Sequence, residues 1–366
     1  MTRTVLLKDL LYPVSETMRF TKHKVVFLNT SDIDNGKFNH NNLSDPTSLP
    51  GQAKKKIKKD DILFSEIRPA NKRFAYVDFS DTENHVVSTK LMVLRCNNIA
   101  YPRYAYYWIT APQQLAQLQV IAESRSGTFP QITFDTIKNL KVILPEYPEQ
   151  VRIADFVDAI DEKIELNQKM NDTLEQMGQA LFMKYFNLNI EAQNWGKIQI
   201  GKKINPRRGK SLQSRDMIAG KVPVVSGGLQ PAGYHNESNT SSPVITVSAS
   251  GANAGFVALW EEPVWSADSC YIDTTITNDV YFYYLFMKAN QTVIYGMQTG
   301  SGQPHIYPKH IELLEIPNAP QKEIETFGLQ VKPLFKKIHE NKVEIETLTT
   351  LRDSLLPRLI NGKISI

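Results

Sequence analysis

Three sets of side chains in this sequence have residue types that could do chemistry. Gly209-Lys210-Ser211 has the tail of a phosphate-binding loop, and Asp60, Asp61 and Glu66 beside Arg68 are the residue types of a metal-dependent nuclease. The third set is basic: Lys54, Lys55, Lys56, Lys58 and Lys59 in the first half, and Arg207, Arg208 and Lys210 in the second. Spacing tests each set. The pattern Gly-x-x-x-x-Gly-Lys-Ser needs its first glycine where this chain has Ile204, and Gly201 lies too far upstream to let the backbone wrap a phosphate. The carboxylates are poorly spaced for one shared metal ion and read better as charged flanks of a strand edge. No GxGxxG follows a strand, and no Asn/Asp-Pro-Pro-aromatic motif of an amino-methyltransferase occurs. The 7 histidines form neither an HExxH motif nor a pair with a cysteine.

The 2 cysteines, Cys96 and Cys270, are too few for a zinc site or a secreted disulfide framework, and they read as small buried side chains in equivalent strands. Met1 to Leu11 lacks the apolar core of a signal peptide, and no apolar run approaches the length of a membrane span. A reduced, soluble, cytoplasmic protein that binds rather than catalyses is expected. The formal charge of +4 says little about partners until its distribution is considered.

The basic clusters gain weight from the residues near them. DNA binding draws affinity from Lys and Arg on phosphates and discrimination from polar side chains on base edges. The first half offers the lysine run with Arg68, Lys72, Arg73 and Arg125; the second adds Arg215, His235 and Asn253 to Arg207, Arg208 and Lys210. Beside them lie Ser126, Gly127 and Gln131 in one block, and Ser301, Gly302, Gln303 and His305 in another. The glycines allow close backbone approach, although Ser-Gly before Pro also suits a simple turn into the next element. Arg207 and Arg208 are expected to act mainly on phosphate.

Those two blocks are copies. Ser126 to Pro145 repeats as Ser301 to Pro317, and Pro130/Pro304, Ile164/Ile338, Asn167/Asn341 and Leu181/Leu355 all keep an offset of 174 residues. So long a period implies two domain-sized units, each followed by a helix, and the stretches before each block do not match. Within 1–145, short β-rich runs at 24–29, 61–67, 74–79, 85–89 and 90–95 precede one or two helices interrupted at Pro112. Within 191–318, strands are expected at 222–225, 244–248, 256–259 and 270–275, with a helix over 281–288.

Segments 146–190 and 319–366 change to heptads. Ile153, Val157, Ile160, Ile164, Asn167, Leu174 and Leu181 line one seam; Val331, Leu334, Ile338, Asn341, Ile345, Leu348 and Leu355 line the other. Each helix alone would expose a long apolar stripe, so the two are expected to pair, antiparallel, with a globular domain near each end. Asn167 and Asn341 either fix register inside the seam or sit where it meets solvent, and Gly178 leaves room for a hinge. The expected fold class is α+β: two α/β domains joined by two long helices in an antiparallel coiled coil, with an internal pseudo-two-fold repeat.

Several of these stretches resemble the specificity subunit of Type I restriction–modification systems. The resemblance rests on Ser126-Gly127-Thr128-Phe129-Pro130-Gln131-Ile132 running to Leu144-Pro145, and on the helix start Glu149-Gln150-Val151-Arg152-Ile153-Ala154. It rests also on Asp60-Asp61-Ile62-Leu63-Phe64 and on Leu355-Leu356-Pro357-Arg358-Leu359-Ile360-Asn361-Gly362-Lys363-Ile364, and it covers almost the whole chain. The second block departs from the first, with His305 for Gln131 and Gln303-Pro304 for Phe129-Pro130.

The resemblance implies two target recognition domains, each reading one half of a split site in double-stranded DNA, with a spacer fixed by the helices. Because the two inserts differ, that site is expected to be asymmetric. The resemblance further implies two modification subunits that methylate adenine with S-adenosylmethionine, restriction subunits that use ATP and Mg2+, no cofactor or metal on this chain, and no membrane. Two other readings stay open: a stand-alone nuclease or methyltransferase with an unfamiliar site, and a coiled-coil adaptor that binds proteins through both domains.

Overall fold

The structure, a computed structural model, describes residues 2–124, 130–188, 194–300 and 302–366. The chain divides into two compact units, Met1–Ile164 with Glu346–Ile366, and Glu165–Ile345. Both divisions fall inside a long helix, so each unit holds a recognition domain together with the helix halves that complete it.

In the first unit, Thr2–Leu6 pairs antiparallel with Lys141–Pro145. A four-stranded antiparallel sheet follows, in the spatial order Leu11–Val14, Leu91–Cys96, Ile62–Ser65, Phe74–Tyr76. A second sheet orders Leu43–Ser44, Val25–Leu28, His85–Ser88 and Ala53–Lys56, with the middle two parallel. Pro102–Thr110 and Pro112–Glu123 then form two helices that meet at Ala111, where proline at the first helical position starts the second.

The second unit has the same plan. Lys197–Gln199 pairs antiparallel with Glu315–Pro317, and one sheet orders Arg207–Arg208, Ser269–Asp273, Val244–Ser248, Val257–Trp260. The other orders Gly233–His235, Val222–Val225, Trp265–Ser266, again with a parallel pair. Helices Val280–Ala289 and Gln291–Gly296 follow. The central strands, Ile62–Ser65 and Val244–Ser248, are buried throughout. Packed on both faces, they run as continuous apolar stretches without alternation, which is why they stand out in the sequence.

The two cysteines do lie in equivalent strands, but not at equivalent positions. Cys270 pairs across Val247 of the central strand and is buried; Cys96 lies at the far end, across from Leu11, and is half-buried. Burial pushes the Cys96 thiol up to about 12 and the Cys270 thiol up to about 11, so neither is a thiolate nucleophile at neutral pH.

Tyr147–Phe186 and Gln321–Ile360 are the long helices, 40 residues each, and about 60 Å at a rise of about 1.5 Å per residue. In the second unit Asn167 bonds Glu344, Asn341 bonds Asn171, and Gln330 bonds Tyr185, so one helix's numbers rise as the other's fall. The pairing is antiparallel. Ile153, Val157, Ile160, Asn167, Val331, Ile338 and Asn341 are buried; Ile164, Leu174, Leu181, Leu334, Ile345, Leu348 and Leu355 are half-buried.

The helix ends do more than pair. Ile153, Ala154 and Val157 enter the first unit's core with Leu356, Leu359 and Ile360. Phe182, Phe186, Phe327, Phe335 and Val331 enter the second unit's core. Gly178 is packed rather than hinged: a Cβ there would sit 3.3 Å from the Phe335 ring and 3.4 Å from Leu285. At the matching repeat positions of the first unit, Asp161 accepts from Arg352 Nη1 at 2.7 Å. One unit therefore closes this contact with an ion pair and the other with an aromatic ring on a glycine.

Asn167 and Asn341 are fully buried, which places them inside the seam. Asn167 Nδ2 donates to Glu344 Oε2 and Asn341 Nδ2 to Asn171 Oδ1, both at 2.9 Å, yet both Asn Oδ1 atoms are buried without a partner. An unpaired buried oxygen costs about 1–3 kcal/mol. Replacing both residues by leucine is expected to raise the unfolding midpoint in urea and to loosen the register of the helix pair. A lowered midpoint would show that the amide layer is a net stabiliser.

Candidate nucleic-acid interface

The repeated block has one structural task in both units. In the first, Arg68 N donates to Pro130 O at 3.0 Å, Ile132 N to Glu66 O at 2.8 Å, and Glu66 N to Lys90 O at 3.2 Å. In the second, Gly251 N donates to Pro304 O at 3.1 Å, Ile306 N to Ala249 O at 2.9 Å, and Ala249 N to Asp268 O at 3.0 Å. The same three backbone bonds latch the block to the loop that leaves the central strand. The latched loop turns through the left-handed region in both, at Arg68 (φ +45°) and at Gly251 (φ +81°). This alignment makes Gln131 equivalent to His305, which bridge to Ile67 and Ser250 respectively.

The side chains carried on the latch differ. In the first unit Gln131 Nε2 donates to Glu66 Oε2 at 3.0 Å, with the exposed cations Arg68, Lys72 and Lys90 close by in sequence. In the second unit Arg208 Nη2 donates to Asp268 Oδ1 at 2.7 Å, and the other Asp268 oxygen accepts from Ser250 Oγ. His305, beside Ser250, stacks on Tyr307 with ring centroids 6.0 Å apart. Gly227 is needed here, because a Cβ on it would lie 2.5 Å from Ser250 O. Gly302 and Gln303 are exposed, and Asn253 is half-buried in the adjoining 251–254 turn.

Other expected contacts fall elsewhere. The lysine run is not a free loop: Ala53–Lys56 is a strand paired to His85–Ser88, with Ala53 and Ile57 buried. Lys55 Nζ donates to Leu91 O at 2.7 Å, and burial pulls its pKa down. Lys54, Lys58 and Lys59 are exposed, and Lys56 lines a surface cleft with Glu16 and Glu83. Arg73 Nη1 is spent on Ile33 O at 2.8 Å and faces Asp34 at 3.5 Å.

His235 requires a correction. Its ring is buried, accepts from Ile218 N at 3.0 Å and packs edge-on against Trp265, so it holds a loop in place and presents nothing to a ligand. Arg207 touches only Thr275 Oγ1, at 3.2 Å, and Arg215 is exposed beside Asp216. Arg125, Ser126, Gly127 and Ser301 lie outside the described residues.

The catalytic look-alikes have structural explanations. Asp61 is fully buried and takes both Arg95 Nε at 2.7 Å and Nη2 at 2.9 Å, while Asp60 accepts from Tyr76 OH at 2.7 Å. Among the described residues no three His, Cys, Asp or Glu side chains come together in a way that could hold a metal ion. Gly209 is a close-packing glycine, whose Cβ would lie 2.4 Å from Ser266 O. Lys210 sits over the Trp265 ring at 5.9 Å, and no helix begins after it.

Comparison with known proteins matches this two-copy architecture. The model of the Type I restriction modification DNA specificity domain matches twice, over residues 19–176 and 193–351. The chain belongs to the Type I specificity family. Among its relatives, the HindI specificity subunit of Haemophilus influenzae is 30% identical over 98% of both chains. The MjaIX specificity subunit of Methanocaldococcus jannaschii is 24% identical over 72% of this chain and 69% of its own. The fold is similar to the crystal structure of the Type I S subunit from M. genitalium, with a TM-score of 0.67, 19% identity, and 98% and 96% of the two chains covered. The chain is thus a DNA sequence-recognition subunit that works in assembly with other subunits. Among the described residues no helix is long and apolar enough to cross a membrane.

Sequence reasoning missed Asp268, Ser250 and Glu66, since an anionic ligand directs attention to cations. It also missed that Arg68 is held in the left-handed region, which costs a non-glycine residue about 1–2 kcal/mol. Arg68→Gly is expected to raise stability in urea by about 1 kcal/mol and to flatten the salt dependence of DNA binding by about one phosphate contact. Reduced stability would show that the Arg68 side chain is itself a structural support.

Proposed function

We propose that each unit reads one half of an asymmetric, two-part site in double-stranded DNA, and that this chain does no chemistry of its own. The observation that carries this reading is the latch: identical backbone bonds in both units bear a Gln–Glu pair in one and an Arg–Asp–Ser cluster with His305 in the other. A shared frame with unlike side chains suits two unlike half-sites, because base edges are distinguished by the pattern of donors and acceptors facing them. Exposed cations nearby, Arg68 and Lys72 in one unit and Arg207 and Lys210 in the other, would hold the phosphates.

The paired helices would fix the spacer between the half-sites and dock two modification subunits. Methyl transfer to adenine with S-adenosylmethionine would then belong to those subunits, and ATP- and Mg2+-dependent translocation and cleavage to restriction subunits. The relatives named as specificity subunits support this division of labour. The test is a genome-wide map of N6-methyladenine in cells with the modification partner, with and without this chain. The expected result is a split motif with unlike halves that vanishes with the chain. A palindromic motif, or methylation unchanged while the complex assembles, would contradict the reading.

A further inference from the structure

We infer that Arg208 reads a guanine in the half-site of the second unit, with Asp268 as its positioning residue and Ser250 as the brace of that carboxylate. The inference rests on the proposed reading of DNA by each unit and departs from the sequence expectation that Arg207 and Arg208 both serve phosphates. The two arginines are neighbours in one short strand, Arg207–Arg208, so their side chains leave it on opposite faces. They cannot share one task.

Arg207 keeps a free cation, held only by Thr275 Oγ1 at 3.2 Å. Arg208 does not. Asp268 takes its Nη2 at 2.7 Å, and the same carboxylate is held on its other oxygen by Ser250 Oγ. The strand bond to Cys270 and the Gly209 N to Ser269 O bond of 2.8 Å fix the backbone on either side. A guanidinium braced through one N–H still has donors for another partner, and its planar fork matches the O6 and N7 acceptors of guanine.

Charge points the same way. A cation neutralised by a carboxylate beside it releases few counterions and makes a poor phosphate clamp. A carboxylate at a DNA-facing loop also repels the backbone, so its presence needs a purpose other than affinity. Stability is a weak one, since an ion pair this exposed, with the two side chains 41% and 36% accessible, adds little to folding. Orientation of the arginine is what the pair supplies. In the first unit the residue whose carbonyl takes the equivalent latch bond is Lys90, and the pair on the latch is Glu66–Gln131, so the same place carries an amide in place of a guanidinium.

The experiment uses the complex assembled with its modification subunits, and compares Arg208→Lys, Asp268→Asn and Arg207→Ala by methylation mapping and by salt-titrated DNA binding. Arg208→Lys is expected to lose about tenfold to hundredfold discrimination at one G·C pair of the second half-site, leaving the first half-site intact. Asp268→Asn should relax the same base pair while steepening the salt slope by about one, because the arginine charge is released. Arg207→Ala should weaken binding to all sequences alike.

The assignment is overturned if Arg208→Lys lowers binding uniformly with the motif unchanged, or if the second half-site contains no G·C pair. Conservative replacements at exposed positions keep the unit folded, and the untouched first half-site reports that directly. If the wild-type complex shows no motif dependent on this chain, the larger reading fails. If its motif is split but indifferent to Arg208, only this assignment fails.

Discussion

Neither recognition domain closes its own core; each needs side chains from both long helices. In the first unit Ile153 and Val157 of one helix and Leu356, Leu359 and Ile360 of the other complete a cluster that begins at Leu7 and Leu10. In the second, Phe182 and Phe186 meet Phe327 and Phe335 beneath the aromatic helix Val280–Ala289. Burying these large side chains, roughly 1.5–3 kcal/mol each, makes helix and domain one folding unit. A domain that rotated on its helices would have to open its core, so the reading face is held to the scaffold by the same contacts that fold it.

On that scaffold the chain separates what must be constant from what must vary. The latch uses backbone groups alone, so three bonds can recur while the side chains around them change. At the left-handed position the sequence tolerates Gly251 in one unit and Arg68 in the other. At the next level the helix contact is an Asp161–Arg352 pair in one unit and Phe335 against Gly178 in the other. Geometry is preserved and chemistry is exchanged, as expected of two readers that began alike and came to face different targets.

How much of this was legible follows from its physics. The repeat, the central strands and the helix seam were readable because each is periodic or continuous in sequence. The aromatic residues Phe182, Phe186, Phe327 and Phe335 fell outside the heptad positions because they point into a domain and not at the partner helix. Gly178 looked like a hinge because its neighbour Phe335 lies far along the chain. The lysine run hid a strand, since Lys54 and Lys56 mask the alternation with Ala53 and Ile57. His235 looked available because burial is a tertiary property. The Arg208–Asp268–Ser250 cluster joins three separate segments, and no local pattern announces it.

The central claim is that each unit reads independently from a common frame. The most direct measurement is the methylation motif of a complex whose chain carries the first unit's domain, residues 1–145, in place of residues 191–318 as well. The account predicts a symmetric motif in which the first half-site appears twice in inverted orientation. An assembled complex that still methylates the original unlike halves, or that methylates no site while binding DNA with the same salt dependence, would contradict it.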